Sequence, residues 1–164
     1  MSRLTIGKIR GIQRIADSQG VFTMCAMDHR GSMKEMLNKK DPESVTYGQM
    51  VSMKQQLCEA LAEHSSAVLL DPVYGAAQCI AAGILPRNTG LLVSLEESGY
   101  EGGAQQRLTK VLGGWDVEKI KRMGANAVKI LIYYRPEVND IADRQVNLIN
   151  RVSTDCIKYA AAET

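Results

Sequence analysis

A lysine stands inside an apolar run near the carboxyl-terminal third of the chain. Lys129 lies within residues 127–134, whose other members are apolar or aromatic, and this pattern predicts a strand buried on both faces. Burial disfavours the charged form of an amine, so such a lysine either meets a carboxylate or titrates low enough to act as a base or nucleophile. A structural ion pair and a catalytic amine are therefore both open, and the strand alone does not separate them.

Charged side chains also follow the other predicted strands, where each strand ends. Because the carboxyl ends of parallel strands meet at one edge of a sheet or barrel, these residues are expected to converge with Lys129 on one site. Taken singly, each is better explained as a helix cap or a solvent-exposed loop charge. The candidates are Asp28, Arg30, Asp71, Glu96, Glu97 and Arg135.

The apolar pattern alternates between strand and helix along the whole chain. Helices are predicted over residues 4–18, from Asp41, over 75–82, after a cap at Asp116 and over 137–163. Strands are predicted over residues 21–27, 67–70, 90–95 and from 127. Four strands alternating with helices predict right-handed βαβ units and a parallel sheet, an α/β fold.

Composition limits the classes of partner. With 164 residues and 45% apolar composition, the chain is long enough for one hydrophobic core, hence one domain or part of one. Its net charge of +2 comes from 20 basic and 18 acidic residues without a polybasic block, so neither nucleic acid nor a membrane surface is an expected partner. No apolar run has the length of a membrane span, and residues 1–20 lack a signal-peptide pattern, so a cytoplasmic protein is expected.

The sequence offers no pattern for a metal or nucleotide cofactor. The cysteines are widely spaced and have only His29 and His64 as imidazole partners, which makes zinc a poor fit and predicts reduced, partly buried thiols: Cys25, Cys58, Cys79 and Cys156. A Cys–His nucleophile that uses His29 stays an alternative. Glycine pairs at 102–103 and 113–114 lack the spacing of a dinucleotide fingerprint or a P-loop.

Four segments, in matching order and spacing, resemble the class I tagatose 1,6-bisphosphate aldolases. They are residues 26–31, 97–100, 114–121 and 124–134, and the last of them is the most specific. The likeness runs from about residue 11 to the end of the sequence. The sulfofructose-phosphate aldolases are similar too, since they share the Asp-x-Arg end of strand one and the lysine of strand four.

The resemblance implies a (β/α)8 TIM barrel, a fold of about 250 residues. Residues 1–164 would then form the first four β/α units, the N-terminal half of a single barrel domain. Either the chain is part of a longer product or two half barrels associate, because a half barrel leaves two unpaired strand edges. A homo-oligomer, a dimer by expectation, is also implied.

The resemblance further assigns catalytic roles. Asp28 is similar to the strand-one aspartate that contacts substrate hydroxyls and assists proton transfer. Lys129 matches a second lysine that holds a substrate oxygen and favours the neutral form of the Schiff-base amine. The Schiff-base lysine itself lies on strand six of the family and the acid/base glutamate on strand five, so both are expected beyond Thr164.

Substrate-binding roles follow in the same way. Arg30 would bind a phosphate group through its planar fork, and Asp71 and Glu96 would line the same site. His29 stands where the family often has glutamine, so its preference for one substrate anion is an open point.

The function implied is a class I aldolase that cleaves tagatose 1,6-bisphosphate, or a related ketose bisphosphate, to dihydroxyacetone phosphate and glyceraldehyde 3-phosphate. An iminium intermediate serves as electron sink, so no metal or other cofactor is required. Such an enzyme belongs to lactose and galactose catabolism, and the isolated half barrel is expected to be inactive. A sulfofructose-phosphate aldolase and a non-catalytic regulatory protein that binds sugar phosphates are the alternatives.

Overall fold

The computed structural model of the chain describes residues 4–103 and 106–161. Its strands form one parallel sheet whose spatial order follows the chain order: β1 (Met24–Met27), β2 (Ala67–Leu70), β3 (Gly90–Ser94) and β4 (Ala127–Lys129). Each neighbouring pair is parallel. The predicted α/β fold with four successive parallel strands is confirmed.

Helices follow or precede every strand, as right-handed crossovers require. They are α1 (Ile6–Ile15), α2 (Gly31–Leu37), α3 (Tyr47–Leu61), α4 (Ala76–Ala81), α5 (Val117–Arg122) and α6 (Asn139–Ala161), with short 3-10 turns at Pro42–Ser44 and Ala62–His64. Among the described residues, no helix is both long and apolar enough to cross a bilayer.

Side chains alternate between the two faces of the sheet. One face is buried under the helices and forms the main core, to which the strands contribute Met27, Val68, Leu70, Leu91, Val93 and Leu95. The opposite face is partly open to solvent and carries Met24, Ala26, Leu69, Leu92 and Ala127. Parallel sheets are normally covered on both faces, so the described helices complete only one of the two layers that this sheet needs.

Helix α1 closes the amino-terminal end of the sheet. The Ser66 hydroxyl donates a hydrogen bond of 2.8 Å to the Ile15 carbonyl at the end of α1. Gly90 begins β3 so close to α1 that a Cβ atom there would lie 2.4 Å from the Arg14 carbonyl oxygen. Only glycine permits this approach. The carboxyl-terminal end of the sheet is thereby left as the end that carries the polar side chains.

Two helix starts follow the expected capping chemistry. The Asp116 side chain accepts a hydrogen bond from the Lys119 amide at the start of α5, as predicted. Helix α3 begins later than predicted: residues after Asp41 form a 3-10 turn, and a capping box between Thr46 and Gln49 starts the α-helix.

Other boundaries correct the sequence-based predictions. Strand β1 begins at Met24 rather than at residue 21, and α2 has no counterpart among the predicted helices. Strand β4 ends at Lys129, and residues 130–135 have no regular structure. The prediction that this strand is buried on both faces is wrong, because β4 lies at the edge of the described sheet and its residues are only half-buried.

Candidate active site at the carboxyl end of the sheet

Three strand ends bring a lysine between two carboxylates. The Lys129 Nζ lies 2.9 Å from Asp28 Oδ2 and also donates to Glu96 Oε1. The exposed fractions of the three side chains are 31% for Lys129, 16% for Asp28 and 7% for Glu96. The cluster is therefore shielded from bulk water while its cation stays within reach of a small molecule.

Strand register explains the convergence. Ser94 pairs with Lys129 across β3 and β4, and Met27 pairs with Leu70 across β1 and β2. One residue further along, Asp28 and Asp71 continue the same layer, and Glu96 stands two residues beyond Ser94 on the same face. In-register parallel strands thus place these polar residues at one end of the sheet.

The carboxylates set the protonation state of the lysine. Burial by itself would lower the pKa of Lys129, but the hydrogen bonds and negative charges of Glu96 and Asp28 outweigh it and raise that pKa above the ordinary 10.5. At neutral pH the side chain is an ammonium. It is suited to donating hydrogen bonds to a substrate oxygen and not to attacking a carbonyl, since a nucleophilic amine must be neutral.

Backbone contacts hold Glu96 in place. Its Oε2 accepts a hydrogen bond of 3.2 Å from the Leu131 amide, and its carbonyl accepts one from Arg30 Nη2. The Leu95 amide donates to the Lys129 carbonyl at 2.9 Å, which continues the link between β3 and β4. Arg30 is half-buried, and its Nε is buried without a hydrogen-bond partner. One arm of the predicted phosphate-binding fork is thus engaged by the protein, and the phosphate contact stays a prediction.

Asp71 pairs with a lysine that sequence analysis missed. Its Oδ2 lies 3.2 Å from the Nζ of Lys54 on α3, and both side chains are fully buried. Its Oδ1 accepts the amides of Val73 and Tyr74 at 2.9 and 2.7 Å, an Asx turn after β2. A substrate-binding role for Asp71 stays a prediction, and the geometry gives this carboxylate a structural role.

The remaining candidates lie around this centre. His29 is exposed, and Glu97 forms an ion pair of 3.2 Å with Lys110 instead of joining Lys129. Arg135 is half-buried, and its carbonyl accepts a hydrogen bond of 3.1 Å from the Val138 amide. Ser94, which sequence analysis did not select, is fully buried with no hydrogen bond to its hydroxyl. A small polar residue inside an apolar strand was the available signal for it.

Beyond β3, residues 96–101 pair with residues 108–111 and form a short antiparallel ribbon beside the cluster. Glu96 pairs with Val111 and Glu101 with Leu108, both antiparallel, where only a glycine-rich loop was predicted. The ring of Tyr100 on this ribbon lies 5.5 Å from that of Tyr133, edge to face. These contacts tie the ribbon to the segment that follows β4.

Within the described residues, no group of three or more His, Cys, Asp or Glu side chains is arranged to hold a metal ion. The cysteines are free thiols, with Cys58 and Cys79 buried and Cys25 and Cys156 half-buried. Burial raises the pKa of the Cys156 thiol, which makes it a poor nucleophile at neutral pH.

Comparison with known proteins identifies the family of the chain. The family model "DeoC/LacD family aldolase" matches residues 22–160, which include all four strands and the whole charged cluster. The chain belongs to the DeoC/LacD aldolase family.

The predicted relationship to the tagatose 1,6-bisphosphate aldolases is confirmed by individual relatives. A tagatose 1,6-diphosphate aldolase of Staphylococcus aureus strain bovine RF122 / ET3-1 is 34% identical over 153 residues, and that of strain JH9 is 33% identical over the same length.

These relatives are longer than the present sequence. The alignment takes in 92% of this chain and 45% of either relative, so the chain spans about half the length of the curated aldolases it matches. The solved structure of a Schiff-base-forming fructose-1,6-bisphosphate aldolase superposes with a TM-score of 0.56 at 17% sequence identity, over 93% of this chain and 54% of that one. This likeness concerns the fold alone and confirms it: four β/α units with a parallel sheet, arranged as part of a (β/α) barrel.

Proposed function

We propose that the chain supplies the strand-one-to-four part of a class I aldolase site that acts on a phosphorylated ketose, tagatose 1,6-bisphosphate being the preferred candidate. The observation that carries the proposal is the Lys129 ammonium held between Asp28 and Glu96 at the carboxyl end of an aldolase-type sheet. The names of the tagatose 1,6-diphosphate aldolases support the choice of sugar. The corresponding enzyme is cytoplasmic and homo-oligomeric in this proposal.

Each charged group has a distinct task. The Lys129 ammonium donates to a ketose oxygen and stabilises negative charge that develops on it during carbon–carbon cleavage. Asp28 is the more exposed of the two carboxylates. It accepts a hydrogen bond from a substrate hydroxyl and assists the transfer of that hydroxyl's proton. Glu96 is held by Lys129 and the Leu131 amide and keeps the ammonium in position.

The nucleophile is a different lysine in this proposal. An amine whose pKa is raised by two carboxylates stays protonated, whereas iminium formation needs a free lone pair. The positive charge of Lys129 instead lowers the pKa of any neighbouring lysine and so favours its neutral, reactive form. The family resemblance assigns the Schiff-base lysine to strand six of the barrel, which follows the four strands of this chain.

Borohydride trapping with dihydroxyacetone phosphate tests the assignment. The chain is incubated with the ligand and sodium borohydride, and intact and peptide masses are measured. No covalent adduct is expected, while lysine-selective NMR should show noncovalent binding through shifts at Lys129. Lys110→Met, which removes an exposed lysine paired with Glu97, is the control variant that keeps this response.

Two results would contradict the proposal. A stoichiometric adduct at Lys129 would make this residue the nucleophile. A chain whose Lys129 resonances respond equally to inorganic phosphate and to dihydroxyacetone phosphate would bind the anion alone and have no sugar site.

A further inference from the structure

A second lysine, fully buried, lies next to the charged cluster. The Lys54 Nζ donates hydrogen bonds to the carbonyl oxygens of Met27 and His29, the two residues that flank Asp28. Its third neighbour is the Asp71 carboxylate, at 3.2 Å. The lysine extends from α3 to the end of β1 and is fully buried.

These contacts begin where the sheet ladder ends. The last paired residue of β1 is Met27, opposite Leu70, and within residues 4–103 and 106–161 no strand pairs with residues 28–30. The Met27 carbonyl belongs to the peptide on the amino side of Asp28, and the His29 carbonyl belongs to the peptide one residue beyond its carboxyl side, so the two hydrogen bonds restrain the backbone on either side of Asp28. This restraint limits the direction of the Asp28 Cα–Cβ bond and so favours the position from which its carboxylate contacts Lys129.

We propose that Lys54 is a positioning residue. Where the strand pairing of β1 ends, its ammonium holds the backbone around Asp28, so that the Asp28 carboxylate points toward Lys129 and the substrate. The Asp71 carboxylate balances the buried charge, so that the donor is retained inside the fold. For its effect on substrate this inference rests on the proposed function, whereas the effect on the Asp28–Lys129 pair does not depend on it.

Protonation of Lys54 agrees with this role. Burial lowers the pKa of Lys54, and the charge of Asp71 opposes that change. An ammonium has three N–H donors, and the structure surrounds it with three oxygen acceptors, two carbonyls and a carboxylate. The two carbonyls accept hydrogen bonds, and the Asp71 carboxylate contributes its negative charge at 3.2 Å, which favours the ammonium over the neutral amine.

Two variants separate positioning from plain structural support. Lys54→Met leaves the Asp71 carboxylate buried without its cation and therefore also destabilises the fold. The double variant Lys54→Met with Asp71→Asn removes that charge, and the asparagine Oδ1 retains the amide contacts of the turn after β2. In the double variant the melting temperature should recover toward that of the unmodified chain.

The decisive readout is the Lys129 side chain, titrated by NMR. In the double variant we expect the pKa of Lys129 to fall relative to the unmodified chain, because Asp28 is no longer held against it. The affinity for dihydroxyacetone phosphate should drop by about tenfold or more, as for other displaced site groups. Met50→Ala, a buried change one turn earlier on α3, should lower the melting temperature without changing the Lys129 titration.

The outcomes are distinct. A double variant that regains stability and also titrates normally at Lys129 would overturn the inference and leave Lys54 as a charge partner of Asp71 only. The unmodified chain gives an independent check: backbone order parameters at residues 28–30 should match the rigid value of about 0.85, and values below about 0.6 would contradict the inference. A chain that binds no sugar phosphate, but whose Lys129 titration changes in the double variant, would refute the proposed function and retain the positioning role.

Discussion

The two lysines at the carboxyl end of the sheet differ in what surrounds them. Lys129 projects from a strand and meets two carboxylates, and 31% of its side chain is exposed. Lys54 projects from a helix, contacts two backbone carbonyls and one carboxylate, and is fully buried. Their distances to a carboxylate are similar, 2.9 Å to Asp28 and 3.2 Å to Asp71.

The different exposure of the two lysines indicates that their ion pairs have different roles. A fully buried ammonium whose neighbours are all protein oxygens is out of reach of a ligand, and its contribution is the fixed geometry of the backbone. A half-exposed ammonium keeps access to solvent and to a substrate oxygen. In the proposed function the substrate contact therefore lies at Lys129, and the proposed task of Lys54 is to support it.

The largest expected effect on stability comes from breaking the buried ion pair between Lys54 and Asp71. Lys54→Met should lower the free energy of unfolding by about 3–5 kcal/mol at neutral pH, because a buried carboxylate loses its cation. Urea denaturation followed by circular dichroism measures this change. A loss below about 1 kcal/mol, the range of exposed pairs, would show that the pair is hydrated in solution and would remove the contrast between the two lysines.

Removal of the accessible lysine should cost less. Lys129→Met should lower the free energy of unfolding by about 1–2 kcal/mol, since methionine fills a similar volume but leaves two partly shielded carboxylates close together. Urea denaturation should still show a cooperative transition. Arg144→Ala, which breaks the exposed pair with Asp140 on α6, is the matched control and should change stability by at most about 0.5 kcal/mol.

A loss at Lys129 as large as that at Lys54 would reverse the assignment. Lys129 would then be a structural member of the core ion pairs, which is the alternative that the sequence pattern left open.

Sequence patterns predicted the sheet well because buried parallel strands have a direct signature. The continuous apolar run at residues 67–70 corresponds to β2 residue for residue. The pattern failed at residues 130–134, which are equally apolar but lie beyond β4. There the Leu131 amide donates to the Glu96 side chain instead of to a neighbouring strand. A tertiary contact of this kind leaves no periodic trace in the chain.

The site was predicted only in part for a related reason. Lys129 stood out because lysine is rare in an apolar strand, and its convergence with Asp28 and Glu96 followed from strand order. Lys54 gave no such signal, since lysine is ordinary in an amphipathic helix. Asp71 therefore resembled another site carboxylate, although its partner comes from α3. Helix α2 was missed because it begins at Gly31 without a side-chain cap.

The smallest expected effect is the part of the Lys129 contribution that depends on pH. The folded protein raises the pKa of Lys129 above 10.5, the value for an unperturbed lysine. In that case the folded state binds the proton more tightly than the unfolded state, so the stabilisation is fully present below the unfolded pKa and is lost as pH rises through the folded pKa. The stability difference between the unmodified chain and Lys129→Met should thus be constant to about pH 9 and shrink at higher pH.

The stability difference between the unmodified chain and Lys54→Met should change with pH in the opposite direction. The two variants can therefore be compared in one experiment. The pKa of Lys54 is lowered in the folded state, mainly by burial, so the unfolded state binds its proton more tightly and stability gains as pH rises toward the unfolded value. Urea denaturation between about pH 8 and 11 of the unmodified chain and both single variants gives the two differences. Other lysines with raised pKa values, such as Lys110, are present in every variant and cancel. If the Lys129 difference widens with pH, its ammonium is not held by Asp28 and Glu96 in solution, and the accessible cation on which the proposed site depends is absent.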